Sequence, residues 1–180
     1  MTKDEYGMHM ANAAATRSKD KSTQLGCVVI SSVGAIRSTG YNSFPTGIRD
    51  DISERQERPY KYKWFVHAEA NAIYLAAHSG TSLAGCTIFC RWLPCPTCAM
   101  AIIQSGIQNI VVESFIVPVH WLGDMVVACE MLYEAGVKVR IVDGVPQEKV
   151  VAITQDVCIN CGDLSCKQPS TGYCPTTGVA

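Results

Sequence analysis

The stretches HAEANAIYLAAH (residues 67–78) and PCPTCAMAIIQ (residues 94–104) decide how the rest of the chain must be arranged. Each sets chemically active side chains at the head of a run of helix formers. The first run, Ala68 to His78, stops before Gly80. The second opens on Pro96, which suits a first helical position, and stops before Gly106. His67, Cys95 and Cys98 offer one imidazole and two thiolates, donors that zinc prefers in a tetrahedron, and a catalytic zinc keeps its fourth position for water. Two thiolates cancel the charge of the ion, and water held there titrates near about pH 7 in favourable sites. Thiolates at a helix N-terminus gain from the free N–H groups and the dipole. Cys95 and Cys98, three apart, can share one side of a first turn. Glu69 is not needed as a ligand and is the candidate to take a proton and pass it on.

Blander readings exist for each part. A lone C-x-x-C is often a structural zinc knuckle or a redox pair, and a lone histidine beside an apolar helix is usually packed. Here the two halves carry all four residue types in order, each opening a helical run, and the catalytic reading is preferred.

Working outward, Thr2 and Glu5 are spaced as a capping box ahead of a helix from about Lys3 to Thr16, with Tyr6, Met10, Ala13 and Ala14 on one side. Arg17 to Lys21 is a charged turn, either solvated or an anion contact. Leu25 to Ser31 reads as a strand by its β-branched content. Residues 32–34 can turn it back into a second strand, Ala35 to Tyr41, as a hairpin. Cys27 is expected in the core.

Asn42 to Tyr62 is long and polar, punctuated by Pro45, Gly47 and Pro59. Ending just before His67, it is either a wall or lid of the site or a surface excursion. Further strands are expected at Cys86 to Arg91, Ile107 to Glu113 and Val137 to Val142, and a helix at Val126 to Ala135. Such alternation predicts a mostly parallel sheet with helices on both faces.

At 180 residues and 48% hydrophobic, the chain suits one domain, residues 1–143, with an appendage at 144–180. A net charge of −1 and a pI of about 6.4 are no footprint for nucleic-acid binding. A small substrate is expected instead. No apolar run approaches the roughly 20 residues of a membrane span, and the polar start, Met1 to Glu5, does not read as a signal peptide. A cytoplasmic setting is therefore expected, where ten cysteines point to metal more than to disulfides. In the appendage, Pro146 to Val157 can form a helix. Cys158, Cys161, Cys166 and Cys174 can close a second, structural zinc site, or form a reduced tail or disulfides.

The H-x-E … P-C-x-x-C pattern of residues 67–69 and 94–98 is identified as the signature of zinc nucleobase deaminases. With RSKDKSTQLG (17–26), GYNSFPTG (40–47), HAEANAI (67–73) and IIQSGI (102–107), the chain resembles the deoxycytidylate (dCMP) deaminases of the cytidine deaminase superfamily over roughly residues 5–143. The resemblance implies a three-layer α/β/α sandwich with a five-stranded mixed sheet. It implies hydrolytic deamination of a cytosine nucleotide, dCMP to dUMP and ammonia, by zinc-bound hydroxide attack at C4 with Glu69 as proton shuttle. Asn42 matches a contact to sugar or base, Ala68 a backbone contact to the pyrimidine, and Arg17 and Lys19 a segment near the phosphate. A homo-oligomer, hexamer or dimer, and switching by dCTP and dTTP are implied as well.

Where the family carries a loop with tyrosine, aspartate and basic residues after Val112, this chain has ESFIVPVHW (113–121). Arg91 and His120 then stand as substitute anion contacts or as ordinary surface residues. The alternatives are deamination of another pyrimidine (a modified dCMP, dCTP, a nucleoside or a base) or of a tRNA adenosine, and a non-catalytic zinc-stabilised nucleotide-binding protein.

Overall fold

The computed structural model describes residues 1–113 and 121–142. The expected helix at 146–157, the four tail cysteines, His120 and most of the 113–121 loop lie outside these residues. Among the described residues, no helix is long and apolar enough to cross a membrane.

Helix α1 spans Lys3–Ala15. Its capping box forms as expected: Thr2 N donates to Glu5 Oε2 at 2.6 Å, and Glu5 N to Thr2 Oγ1 at 3.1 Å. Of the side that carries Tyr6, Met10, Ala13 and Ala14, Met10 packs against the core beneath α1. Gly7, Met8 and Ala11 face inward, while Tyr6 is 38% exposed. Gly7 decides this: a Cβ there would collide with the Phe89 ring, so the helix lies on the sheet through its glycine.

Strands β1 (Gly26–Ile30) and β2 (Ile36–Tyr41) form the expected antiparallel hairpin, with Gly26 opposite Tyr41. Helix α2 (Ala68–His78) leads to β3 (Thr87–Cys90), α3 (Pro96–Gln104) to β4 (Asn109–Val112), and α4 (Leu122–Glu134) to β5 (Lys138–Ile141). The sheet order is β2-β1-β3-β4-β5. β3, β4 and β5 run parallel, whereas β1 is antiparallel to both β2 and β3. The sheet is therefore mixed rather than mostly parallel. The short hairpin places β1 between β2 and β3, so the α2 crossover passes over it.

Side chains alternate between two cores. Cys27, Val29, Ile88, Ile110 and Val139 pack with residues of α2, α3 and α4. Val28, Ile30, Phe89 and Val111 pack with Met8 and Ala11 of α1. On that second face Arg140 reaches Asp4 of α1 through two bonds of 3.0 and 2.8 Å. The result is a three-layer α/β/α sandwich with a five-stranded mixed sheet. The N-termini of α2 and α3 lie together at one end of it, beside the carboxyl end of β3, where α/β sheets place ligands.

Candidate active site

His67 and Cys95 occupy equivalent places. Each is the N-cap of its helix in extended backbone, at φ −68° and ψ 157° for His67 and φ −68° and ψ 167° for Cys95, and neither side chain caps its helix. Both are thus free to point at a shared centre. Pro96 fixes the first position of α3, and Cys98 is its third, so the cysteines stand as an N-cap and an N3 residue. Those two positions face each other in capping geometry. Glu69 is the second residue of α2.

The three side chains meet. Cys95 Sγ is 3.3 Å and Cys98 Sγ 3.6 Å from His67 Nδ1, and all three ligand atoms lie within 4.8 Å of one another. Zinc bonds of ordinary length set a tetrahedral S···N edge at roughly 3.6 Å, so spacing and donor chemistry both fit that ion. Glu69 Oε2 lies 3.8 Å from Cys98 Sγ, beside the cluster.

Two hairpin side chains tie α2 in place. Cys27 Sγ donates to Ala68 O at 3.0 Å and Ser38 Oγ to Ala72 O at 2.7 Å. Gly40 makes the approach possible, because a Cβ there would strike Ala68 O and Ala72 N.

Contact between the two cysteines shifts their thiols in opposite directions. The bond from Cys98 draws the Cys95 thiol down to about 4, against its burial and with help from His67. The same bond, with burial, pushes Cys98 up. His67 is raised by its bond to Cys95, with burial opposing and the charge of Glu69 assisting. Burial pushes the Glu69 carboxyl above its usual range, against the pull of His67. A carboxyl so raised is better matched to proton transfer near neutral pH.

Above the cluster lies a cavity of about 250 Å³. Leu25, Phe65, Leu93, Trp92, Trp121 and Met125 give it apolar walls, and His67, Glu69 and Cys95 line it as well. The long Asn42 to Tyr62 segment supplies part of the wall through Arg58, Lys61 and Tyr62.

Asn42 and Ala68 both line the cavity. Asn42 is 6% exposed, and its carboxamide is fully engaged. Its oxygen accepts from Ser18 Oγ at 2.6 Å and Leu25 N at 2.8 Å. Its nitrogen donates to Thr23 O at 2.8 Å and, at 3.4 Å, to Asp20 Oδ2. Only that last, long bond is readily exchanged for a ligand. Arg17 and Lys19 are exposed and do not line the cavity. Lys19 pairs instead with Asp50 at 3.3 Å. The residues between them on the chain, Ser18 and Asp20, are the ones that turn inward.

Sequence reasoning missed Arg58, Lys61, Tyr62, Trp92 and Trp121 as cavity residues. The available signal was the mixture of cations and aromatics at 58–65, close ahead of His67. Arg91 also lines the cavity, with its Nε 3.0 Å from Glu113 Oε2.

Comparison with known proteins places these features in context. The family model of the cytidine and deoxycytidylate deaminase zinc-binding region matches residues 1–114. A probable deoxycytidylate deaminase of Caenorhabditis elegans is 35% identical over 113 residues, which cover 61% of this chain and 56% of that protein. The chain thus spans little more than half the length of this curated relative. An uncharacterized deaminase from the luxG 3′ region of Aliivibrio fischeri is 39% identical over 134 residues, covering 72% of this chain and 86% of that one. The crystal structure of a dCMP deaminase from the cyanophage S-TIM5 superposes with a TM-score of 0.59 at 26% identity, over 77% of this chain and 95% of that one.

Proposed function

The chain belongs to the family of cytidine and deoxycytidylate deaminases that share a zinc-binding region, and we propose that it hydrolyses the 4-amino group of a cytosine nucleotide, converting dCMP to dUMP and ammonia. The observation that carries this reading is the convergence of His67, Cys95 and Cys98 beside Glu69 at a cavity of nucleobase size. Relatives of the chain are described as deoxycytidylate deaminases, which supports dCMP as the substrate.

His67 Nδ1, Cys95 Sγ and Cys98 Sγ would hold the ion. Zinc, when bound, supplies Lewis acidity that makes water nucleophilic at neutral pH. Glu69 takes a proton from the attacking water and delivers it to N3 of the ring. It then moves the second proton to the departing amino group. The C4–N bond breaks, ammonia leaves, and the water oxygen remains as the C4 carbonyl of the uracil. The apolar walls exclude bulk water from this exchange. The Ala68 backbone and Asn42 are the contacts to pyrimidine and sugar, with Asn42 giving up its long bond to Asp20 to make one.

We place the protein in the cytoplasm and read it as a homo-oligomer. The first is supported by a cysteine pair arranged with His67 to hold a metal ion rather than to form a disulfide. The second is supported by Tyr74 and Leu75 on α2 and Met100 on α3, which are 58%, 49% and 48% exposed.

Ammonia release from dCMP, CMP, deoxycytidine and cytosine tests the reading. Turnover of dCMP ahead of the others is expected. Zinc-loaded protein inert toward all four would overturn it.

A further inference from the structure

Not every charge on the cavity wall is locked in a buried pair. Asp20 and Lys61 both line the cavity but neutralise each other, with Lys61 Nζ at 2.9 and 2.7 Å from the two carboxylate oxygens. His67, Cys95 and Glu69 belong to the metal end. Two guanidiniums remain on the wall, Arg58 and Arg91. Among the described residues, Arg58 makes no ion pair, and its guanidinium lies 5.9 Å from the Tyr62 ring centroid. Arg91 pairs with Glu113 through Nε at 3.0 Å, but both side chains are about half exposed, at 53% and 43%, and a guanidinium carries four further N–H donors. Arg58 comes from the segment leading into His67, and Arg91 from the segment leading from β3 into Cys95.

From this placement we infer that Arg58 and Arg91 form the clamp for the 5′-phosphate of a pyrimidine nucleoside monophosphate. The inference rests on the deaminase reading above. A guanidinium presents paired donors that match two phosphate oxygens, and it keeps its charge at every working pH. Arg17 and Lys19, which the resemblance implied for this task, lie away from the cavity. Specificity for the phosphate therefore moves to residues of the cavity wall. A nucleoside would leave both guanidiniums to water and bind the base end alone.

Trp92 and Trp121 line the same cavity, so tryptophan fluorescence reports its occupancy without turnover. Binding of dUMP and of deoxyuridine would be titrated by that signal in the zinc-loaded full chain, for wild type, Arg58→Gln, Arg91→Gln and the double variant. Both side chains are exposed, and thermal melts would confirm that the variants fold. Wild type is expected to prefer dUMP to deoxyuridine by at least about tenfold. Each single variant should weaken dUMP binding about tenfold, the scale of hydrogen bonds to a charged group. The double variant should lose the preference, with deoxyuridine binding unmoved throughout. Equal binding of dUMP and deoxyuridine by wild type would overturn the clamp and leave the deaminase reading standing. So would a loss of dUMP binding that follows Arg17→Gln or Lys19→Gln and spares Arg58→Gln and Arg91→Gln. Failure of wild type to bind either ligand would overturn the pyrimidine reading, and the clamp with it.

Discussion

Lys61 Nζ lies 2.7 Å from Asp20 Oδ2 and 2.9 Å from Oδ1, and the two side chains are only 5% and 6% exposed. Ser22 Oγ completes the ammonium's shell at 2.6 Å. Asp20 also accepts from the backbone N–H groups of Ser22 and Thr23 and from Asn42. One buried ion pair thus joins the 18–23 turn, the wall segment before His67, and Asn42.

Removing one partner leaves a buried charge alone, so Lys61→Met should destabilise the fold by about 3–5 kcal/mol. The double variant Asp20→Leu with Lys61→Met should recover much of that loss. Chemical denaturation would measure both, and additive losses would show that the pair is not coupled.

The same pair sets an acid limit. Burial raises the Asp20 carboxyl, but Lys61, Ser22 and Thr23 outweigh it and hold the group below its ordinary value of 3.8. A depressed folded value means the stabilisation is complete above 3.8 and is lost as pH falls below it toward the folded value. Melting temperatures of wild type and Asp20→Asn, compared between about pH 2 and 6, should therefore converge toward the acid end. A gap that stays constant over that range would contradict the assignment.

Glu69 is the second residue of α2 and caps nothing, and its carboxyl faces the metal cluster. Glu69→Gln should keep the fold and the zinc while lowering turnover by about 10²–10⁴-fold, the contribution of a positioned proton carrier. Zinc content and ammonia release, measured on the same sample, check this. Retained turnover would remove Glu69 from the reaction.

Metal analysis should find one zinc held by His67, Cys95 and Cys98. Cys98→Ser should cost that ion and, with it, thermal stability, because metal binding and folding share their free energy. A second equivalent of zinc would belong to Cys158, Cys161, Cys166 and Cys174. Serine at Cys158 and Cys161 should then remove that equivalent and spare the first. A single equivalent in wild type would dismiss the tail site.

The legible parts of this protein were the local ones. Helices α2 and α3 read correctly to the residue, because each starts at an extended N-cap and ends near a glycine of positive φ, Gly80 at 66° and Gly106 at 76°. The cysteine and histidine chemistry sits on those same termini. What escaped was non-local. Nothing within β1 announces that it runs antiparallel to β3. Asp20 and Lys61 are 41 positions apart, so a run of charges that reads as a solvated turn conceals a buried pair. The inward face of α1 hinges on Gly7 meeting Phe89, a contact that apolar spacing alone does not reveal.

Gly40 offers a test of how the hairpin sets the metal site. It lies on β2, opposite Cys27, where a Cβ would run into the backbone of α2 at Ala68 O and Ala72 N. Gly40→Ala must push the first turn of α2 outward, and His67 stands at the head of that turn while Cys95 and Cys98 stay with α3. Overpacking of this kind costs about 1–3 kcal/mol, and here it should also weaken zinc binding. Gly7→Ala is the matching control, because its Cβ would meet the Phe89 ring on the opposite face of the sheet. It should destabilise the protein to a similar degree while zinc affinity stays near that of wild type. Competition with a chromophoric chelator gives the affinities, and denaturation gives the stabilities. If the two variants lose zinc affinity in proportion to stability, the site depends on the fold as a whole; a loss confined to Gly40→Ala makes the contact between β2 and α2 the element that holds His67 in register with the two cysteines.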